Sequence, residues 1–260
     1  MLIDINTHVG HWPFRKLQNN TCKARLQLMN SNGITISVVS NLNGIFYKNV
    51  QSANEELYRE LKSDKSFQNR FIPLATINPL YAGWQYDLRD SIKMGMKGVR
   101  IYPNYHGYKP ADDACIELIK QVRDLGLIVS FALRIVDARV SSWMDINEEY
   151  SLKDIIPVIE KVPDAKYLLV NVVNGTQLED ELAALIKKAN VLMDTSGASM
   201  NYLGGLLKKY GSQKFGFGSH SPVLDPITGL LRIESLKADE ADEKTKERLR
   251  SGNAKEFFKI

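Results

Sequence analysis

Gly98-Val99-Arg100-Ile101-Tyr102-Pro103 is the stretch from which the rest of the chain can be read. In an extended strand successive side chains point to opposite faces. Val99 and Ile101 therefore go to one side, against helices, while Arg100 and Tyr102 turn to the other. The stretch belongs to one of eight short apolar runs: Leu2 to Val9, Ile34 to Asn41, Phe71 to Pro79, Lys97 to Pro103, Leu127 to Arg134, Lys166 to Val173, Val191 to Gly197 and Phe215 to Pro222. Helical patterns separate them near 21–32, 51–65, 84–95, 111–125, 152–162, 177–189, 199–211 and 225–236, and another follows at 241–258. Such alternation is the pattern of βα units around a parallel sheet.

Punctuation supports the division. Gly95 and Gly126 stand where a helix ends in a left-handed residue before the next strand. Ser151, with Asp154 three residues on, predicts a capped helix start. No Pro/Ser-rich linker or shift in composition divides the 260 residues, so the expectation is one α/β domain over 1–260, a (β/α)8 (TIM) barrel. An open doubly wound sheet is the competing fold. Against it, the loop after the first run, Gly10-His11-Trp12-Pro13-Phe14-Arg15, lacks a phosphate-cradling glycine pattern.

Composition narrows the classes of function. Hydrophobic residues make up 44% and charged residues 25%, as in globular proteins with a large core. The formal charge of +4 is spread among acidic residues, with no basic stripe interleaved with aromatics, which argues against a nucleic-acid partner. No run of about 18 apolar residues and no basic leader with a long apolar stretch occurs, so neither a membrane span nor a signal peptide is expected. Cys22 and Cys115 match no metal or redox spacing and read as buried, reduced thiols of a cytoplasmic protein.

In a parallel barrel the chemistry collects at the C-terminal strand ends. Polar residues there are Asn6 and His8 on the first strand, Thr76 and Asn78 on the third, Arg100 and Tyr102 on the fourth, and Ser130 and Arg134 on the fifth. Asn171 follows on the sixth, Asp194 and Ser196 on the seventh, and His220 on the eighth, with Gly216 and Gly218 in its register. The first and eighth strands are neighbours in a closed barrel, so His8 and His220 meet. A guanidinium at Arg100 requires a partner, which the sequence offers as Asp194, Asp4 or an anionic substrate. His11 and His106 fall on loops over the mouth, where Trp12-Pro13-Phe14 is placed to cover a pocket.

Taken in order, Ile3-Asp4-Ile5-Asn6-Thr7-His8, Gly98 to Pro103, Pro163 to Lys166, Asp194-Thr195-Ser196-Gly197, Phe217 to Pro222 and Gly252-Asn253-Ala254 resemble the amidohydrolase-related family of metal-dependent hydrolases and decarboxylases. That resemblance spans nearly the whole chain and implies a catalytic barrel. Metal-binding members carry His-x-His on the first strand, a His on the fifth and on the sixth, and an Asp on the eighth. Here those positions hold Asn6 and His8, about Ala132, Asn171 and His220. One of the five is retained. A neutral amide is a poor zinc ligand and alanine is none. A residual divalent-metal site would use His8, His220 and Asp194; otherwise no cofactor is implied, and some family members work without a metal.

The expected function is hydrolysis, decarboxylation or lactone opening of a small anionic, carboxylate-bearing substrate at the barrel mouth. His8 or His220 would act as general base, Arg100 and Arg134 would hold the carboxylate, and Asn6, Tyr102 and Asn171 would donate to developing negative charge. The alternative is an inactive barrel that binds a small molecule or a protein. A homo-oligomer is left open.

Overall fold

A computed structural model describes residues 1–136, 142, 145–146, 149–172, 176–197 and 202–260. Nine strand segments occur among them: β1 (Ile3–Val9), β2 (Ile36–Asn41), β3 (Phe71–Pro73), β4 (Ala75–Thr76), β5 (Gly98–Ile101), β6 (Ile128–Ala132), β7 (Lys166–Val170), β8 (Val191–Asp194) and β9 (Phe215–Gly216). All their pairings are parallel, β1-β2-β3 and β4-β5-β6-β7-β8-β9. β3 and β4 are one stave interrupted at Leu74. Pro73 has no N–H to give to the ladder, and the Leu74 amide restores contact by donating to Val39 O at 2.8 Å. The ring closes between the first and last staves. Ile5 N donates to Phe217 O at 2.9 Å, His220 N to Asn6 O at 2.8 Å and His8 N to Ser221 O at 2.8 Å. Eight staves thus form the barrel that the alternation predicts.

Helices cover the outside: Cys22–Ser31, Val50–Lys62, Trp84–Lys93, Asp113–Asp124, Leu152–Lys161, Asp180–Lys188, Leu203–Tyr210 and Pro226–Glu234. Ser151 and Asp154 form the full reciprocal capping box, and Gly95 and Gly126 take φ of 88° and 68° at the turns into strands. The eighth stave is less regular than its run suggests. Only Phe215–Gly216 is strand, and the chain then bends through His220 at φ 57°. Val173 and residues 199–201, parts of the predicted sixth strand and seventh helix, lie outside the described residues. Cys22 and Cys115 are buried and unpaired, and no described helix is long and apolar enough to cross a membrane.

Two apolar clusters follow the alternation. Val99 and Ile101 join the cluster between strands and helices, with Val129, Leu169 and Ile119. Ile3, Ile5, Val38, Leu74, Ile128, Leu168 and Leu192 fill the lower barrel interior, where each contributes about 1.5–3 kcal/mol by burial.

β1 does not keep one parity. Its register against β2 shifts between Asp4 (opposite Ser37) and Thr7 (opposite Val39), so one extra residue is accommodated. Ile3 and Ile5 point inward below this bulge, and Asn6 and His8 point inward above it. Asp4 instead points outward, toward Arg25 of the first helix, and accepts from the amides of Asn6 (3.1 Å) and Ser219 (2.9 Å). Burial pushes its carboxyl up to about 6, against the lowering effect of Ser219 and Arg25.

Candidate functional site

Above the apolar layers the interior becomes polar and stays almost completely buried. Asp194 is the anchor. Its Oδ1 accepts from the Asn171 amide at 2.8 Å, and its Oδ2 accepts from Asn6 Nδ2 at 2.7 Å and from the Ser196 hydroxyl. Gly218 makes room for it, because a Cβ there would stand 2.5 Å from Asp194 Cβ. Hence the glycine read as a place of close approach admits a carboxylate of the protein itself.

His220 is held at both ring nitrogens. Nε2 lies 2.6 Å from Ile135 O, a contact that only a protonated nitrogen can make. Nδ1 therefore accepts, and its donor is Asn6 Nδ2 at 3.3 Å. Asn171 Nδ2 also lies 3.3 Å from Nε2 but donates to Arg134 O at 2.7 Å. Burial lowers the basicity of this ring, with the Ile135 carbonyl acting in the opposite direction.

His8 is different. Its Nδ1 meets Ser40 Oγ at 3.2 Å, while Nε2 is buried with no hydrogen-bond partner. Asn6 Oδ1 is likewise buried and unpartnered. The two imidazoles pack edge to face with centroids 5.3 Å apart. Burial, and then the charges of Arg100 and His220, hold His8 well below the ordinary imidazole range, so the ring is neutral near pH 7.

Arg100 corrects an expectation. Neither Asp4 nor Asp194 pairs with it; the guanidinium donates to Ser130 Oγ (3.2 Å), Ser40 Oγ (3.2 Å), Thr7 O (3.1 Å) and Ile5 O (3.4 Å). The last two are carbonyls of the bulged segment of β1, which the side chain therefore caps. A planar fork with five donors can serve these four neutral acceptors and the neighbouring Tyr102 hydroxyl. Its charge is solvated by dipoles, and among the described residues no carboxylate pairs with it. Ser40, which sequence reasoning passed over, joins His8, Arg100 and Tyr102, whose hydroxyl lies 3.0 Å from Ser40 Oγ. Its signal was available: two residues after inward-facing Val38, it has the same parity.

Arg134 pairs with Glu149 and donates to Val136 O, and its buried Nη2 has no hydrogen-bond partner. Trp12 lies edge to face with Phe14, Phe46 and Tyr105, at centroid separations of 5.7, 5.3 and 5.7 Å. Tyr105 hydroxyl donates to Asp145 at 3.2 Å. These rings form one packed aromatic group around Trp12. His11 is exposed, and His106 meets Gly44 O at 3.3 Å with its basicity lowered by burial to about 4. Neither is brought to the His8–His220 pair.

An amidohydrolase family model matches residues 57–260. The chain belongs to the amidohydrolase family. Solved structures of similar fold include 2,6-dihydroxybenzoate decarboxylase from Rhizobium, with a TM-score of 0.75 at 12% identity over 99% of this chain and 98% of that one. Another is 5-carboxyvanillate decarboxylase from Sphingomonas paucimobilis, with a TM-score of 0.74 at 14% identity over 100% and 99%. A third is dihydroxybenzoic acid decarboxylase from Polaromonas with bound manganese and the inhibitor 2-nitroresorcinol, with a TM-score of 0.74 at 15% identity over 99% and 96%. Among curated proteins none matches.

In this amidohydrolase-family barrel the donors suit a metal ion poorly. Among the described residues no group of three His, Cys, Asp or Glu side chains could hold one. His220 uses both nitrogens within the protein, and both oxygens of Asp194 are already hydrogen-bonded. Of the residual set His8, His220 and Asp194, only His8 keeps a free donor atom.

Proposed function

We propose that this protein is a hydrolase or lyase of the amidohydrolase family that acts on a small carboxylate-bearing substrate, with His8 as general base and without a resident metal. The observation that carries the reading is the fully buried, unpartnered Nε2 of His8, two residues along β1 from the likewise buried and unpartnered Asn6 Oδ1. A buried polar atom left without a partner costs about 1–3 kcal/mol, so the pair is explained by a ligand or water that completes it. In hydrolysis, a water held by Asn6 Oδ1 loses a proton to His8 Nε2, its oxygen adds to an ester or lactone carbonyl, and the departing alkoxide takes the proton back. Nδ1–H of His8 then donates to Ser40, which fixes the tautomer. Arg134 Nη2 supplies the free donor for substrate carboxylate, and the Arg100 guanidinium adds positive potential from below. The Asn6 and Asn171 amide donors, the Tyr102 hydroxyl and the His220 ring hold the site in shape. The decarboxylase activities of the similar folds support carboxylate chemistry only by analogy.

A panel of aryl and aliphatic carboxylates, esters and lactones tests the reading, with turnover measured with and without chelator beside elemental analysis of protein purified without chelator. Turnover that chelator leaves intact and that His8→Ala removes is the expected result. Stoichiometric metal with chelator-sensitive turnover overturns the metal-free part, and full turnover by His8→Ala overturns the assignment of the base. A barrel that binds the carboxylate without transforming it is the second reading, favoured by the lost metal donors; it predicts saturable binding and no product.

A further inference from the structure

At the opposite end of the barrel the strand starts leave a cleft of about 530 Å³. It runs from Ile36 at the start of β2, past Phe71 of β3 and Ile128 of β6, to Lys166, the first residue of β7. Phe257 and Phe258, at the end of the helix Asn253–Phe258, form its other wall. Pockets of roughly 300–1,000 Å³ are the usual size for small-molecule sites.

Three lysines line this apolar cleft: Lys97, Lys166 and Lys259. They come from three separated parts of the chain, so the fold and not local sequence gathers them. None has a carboxylate within ion-pair distance among the described residues. Lys166 is half-buried, and its ammonium is disfavoured first by burial and then by the charge of Lys259. Both residues line the same cleft. A carboxylate on residue 260 would offset one of three charges and leave two.

We infer that the cleft at the N-terminal end of the barrel is a second binding site, for a carboxylate with an apolar tail or ring. The apolar walls take the body of the ligand, and the lysines take its charge. A neutral apolar ligand would leave the three lysines without a counter-charge, and a small hydrophilic anion would leave the phenylalanines wet. This site is separate from the mouth and does not rest on the function proposed there.

Octanoate and 1-octanol, titrated calorimetrically into the full chain, test the inference. Octanoate is expected to bind saturably, about tenfold more tightly than octanol, with the difference shrinking at high salt. Lys97→Ala/Lys166→Ala/Lys259→Ala should bring the two ligands to equal affinity while keeping the far-ultraviolet circular dichroism of the parent. Should that triple variant not fold, Lys259→Glu, a change at an exposed residue, is expected to weaken octanoate about threefold or more. Binding should survive His8→Ala, since the mouth is elsewhere. The inference is overturned if octanoate does not saturate below millimolar concentrations, if octanol binds equally well, if the lysine variants bind as the parent does, or if His8→Ala abolishes binding.

Discussion

The lower and upper halves of the barrel interior are built on the same staves and follow different rules. Ile5, Val38, Leu74, Leu168 and Leu192 below need only volume and dryness. Asn6, His8, Ser40, Arg100, Asp194 and His220 above are equally buried but polar, and each is fixed by directional bonds. A bulge in one strand and an arginine that caps it turn the first layer into the second. The lesson lies in what remains unsatisfied: in the upper layer Asn6 Oδ1 and His8 Nε2 are among the buried atoms left without a hydrogen-bond partner, and these are the atoms to which the proposed function gives work.

The largest effect that sharpens this contrast is expected from His8→Ala. Turnover of a substrate found by the carboxylate panel should fall about a thousandfold, the range for loss of a general base, at temperatures where the variant remains folded; the cavity left by the buried ring should itself cost about 3 kcal/mol of stability. A folded variant that keeps full turnover would make His8 one more structural member of the layer. Asp194→Ala should do the reverse of a clean functional change. Three buried donors lose their acceptor at once, and urea unfolding should show a loss of about 4 kcal/mol. In the lower layer Leu168→Ala should cost about 3 kcal/mol through its cavity while substrate KM stays unchanged; a shifted KM would join the two halves functionally.

The smallest expected effect is on pH dependence. Both buried imidazoles sit below their ordinary value of 6.5, chiefly through burial. Below that pH the unfolded chain takes up protons that the folded barrel refuses, so stability falls as pH drops. Asp4, raised to about 6 from 3.8, acts oppositely between those values, because there the folded state binds the extra proton. With His106, lowered to about 4, three imidazoles stand against Asp4 and leave a net acid loss, so the melting temperature should be lower at pH 5 than at pH 7.5 by calorimetry. His220→Gln should flatten this dependence.

Much of the barrel was legible in advance. The eight apolar runs gave the staves, Ser151-x-x-Asp154 gave a helix start, and the parity of Val99, Arg100, Ile101 and Tyr102 gave inside and outside. Asn6, His8, Asn171, Asp194 and His220 were named and do converge. Less could be read about how they divide the work. The partner of Arg100, the hub at Ser40 and the pairing of Arg134 with Glu149 all depend on contacts between distant strands.

Sequence alone determined the period of the elements and the identity of the polar residues at strand ends, because each is a local property of residue type and spacing. Tertiary structure alone decided which imidazole is free. His220 reaches Ile135 O and Asn6, whereas His8 finds Ser40 on one side and nothing on the other. Hydrogen-bond satisfaction is a count over neighbours in space, and a chain does not specify those neighbours until the ring closes.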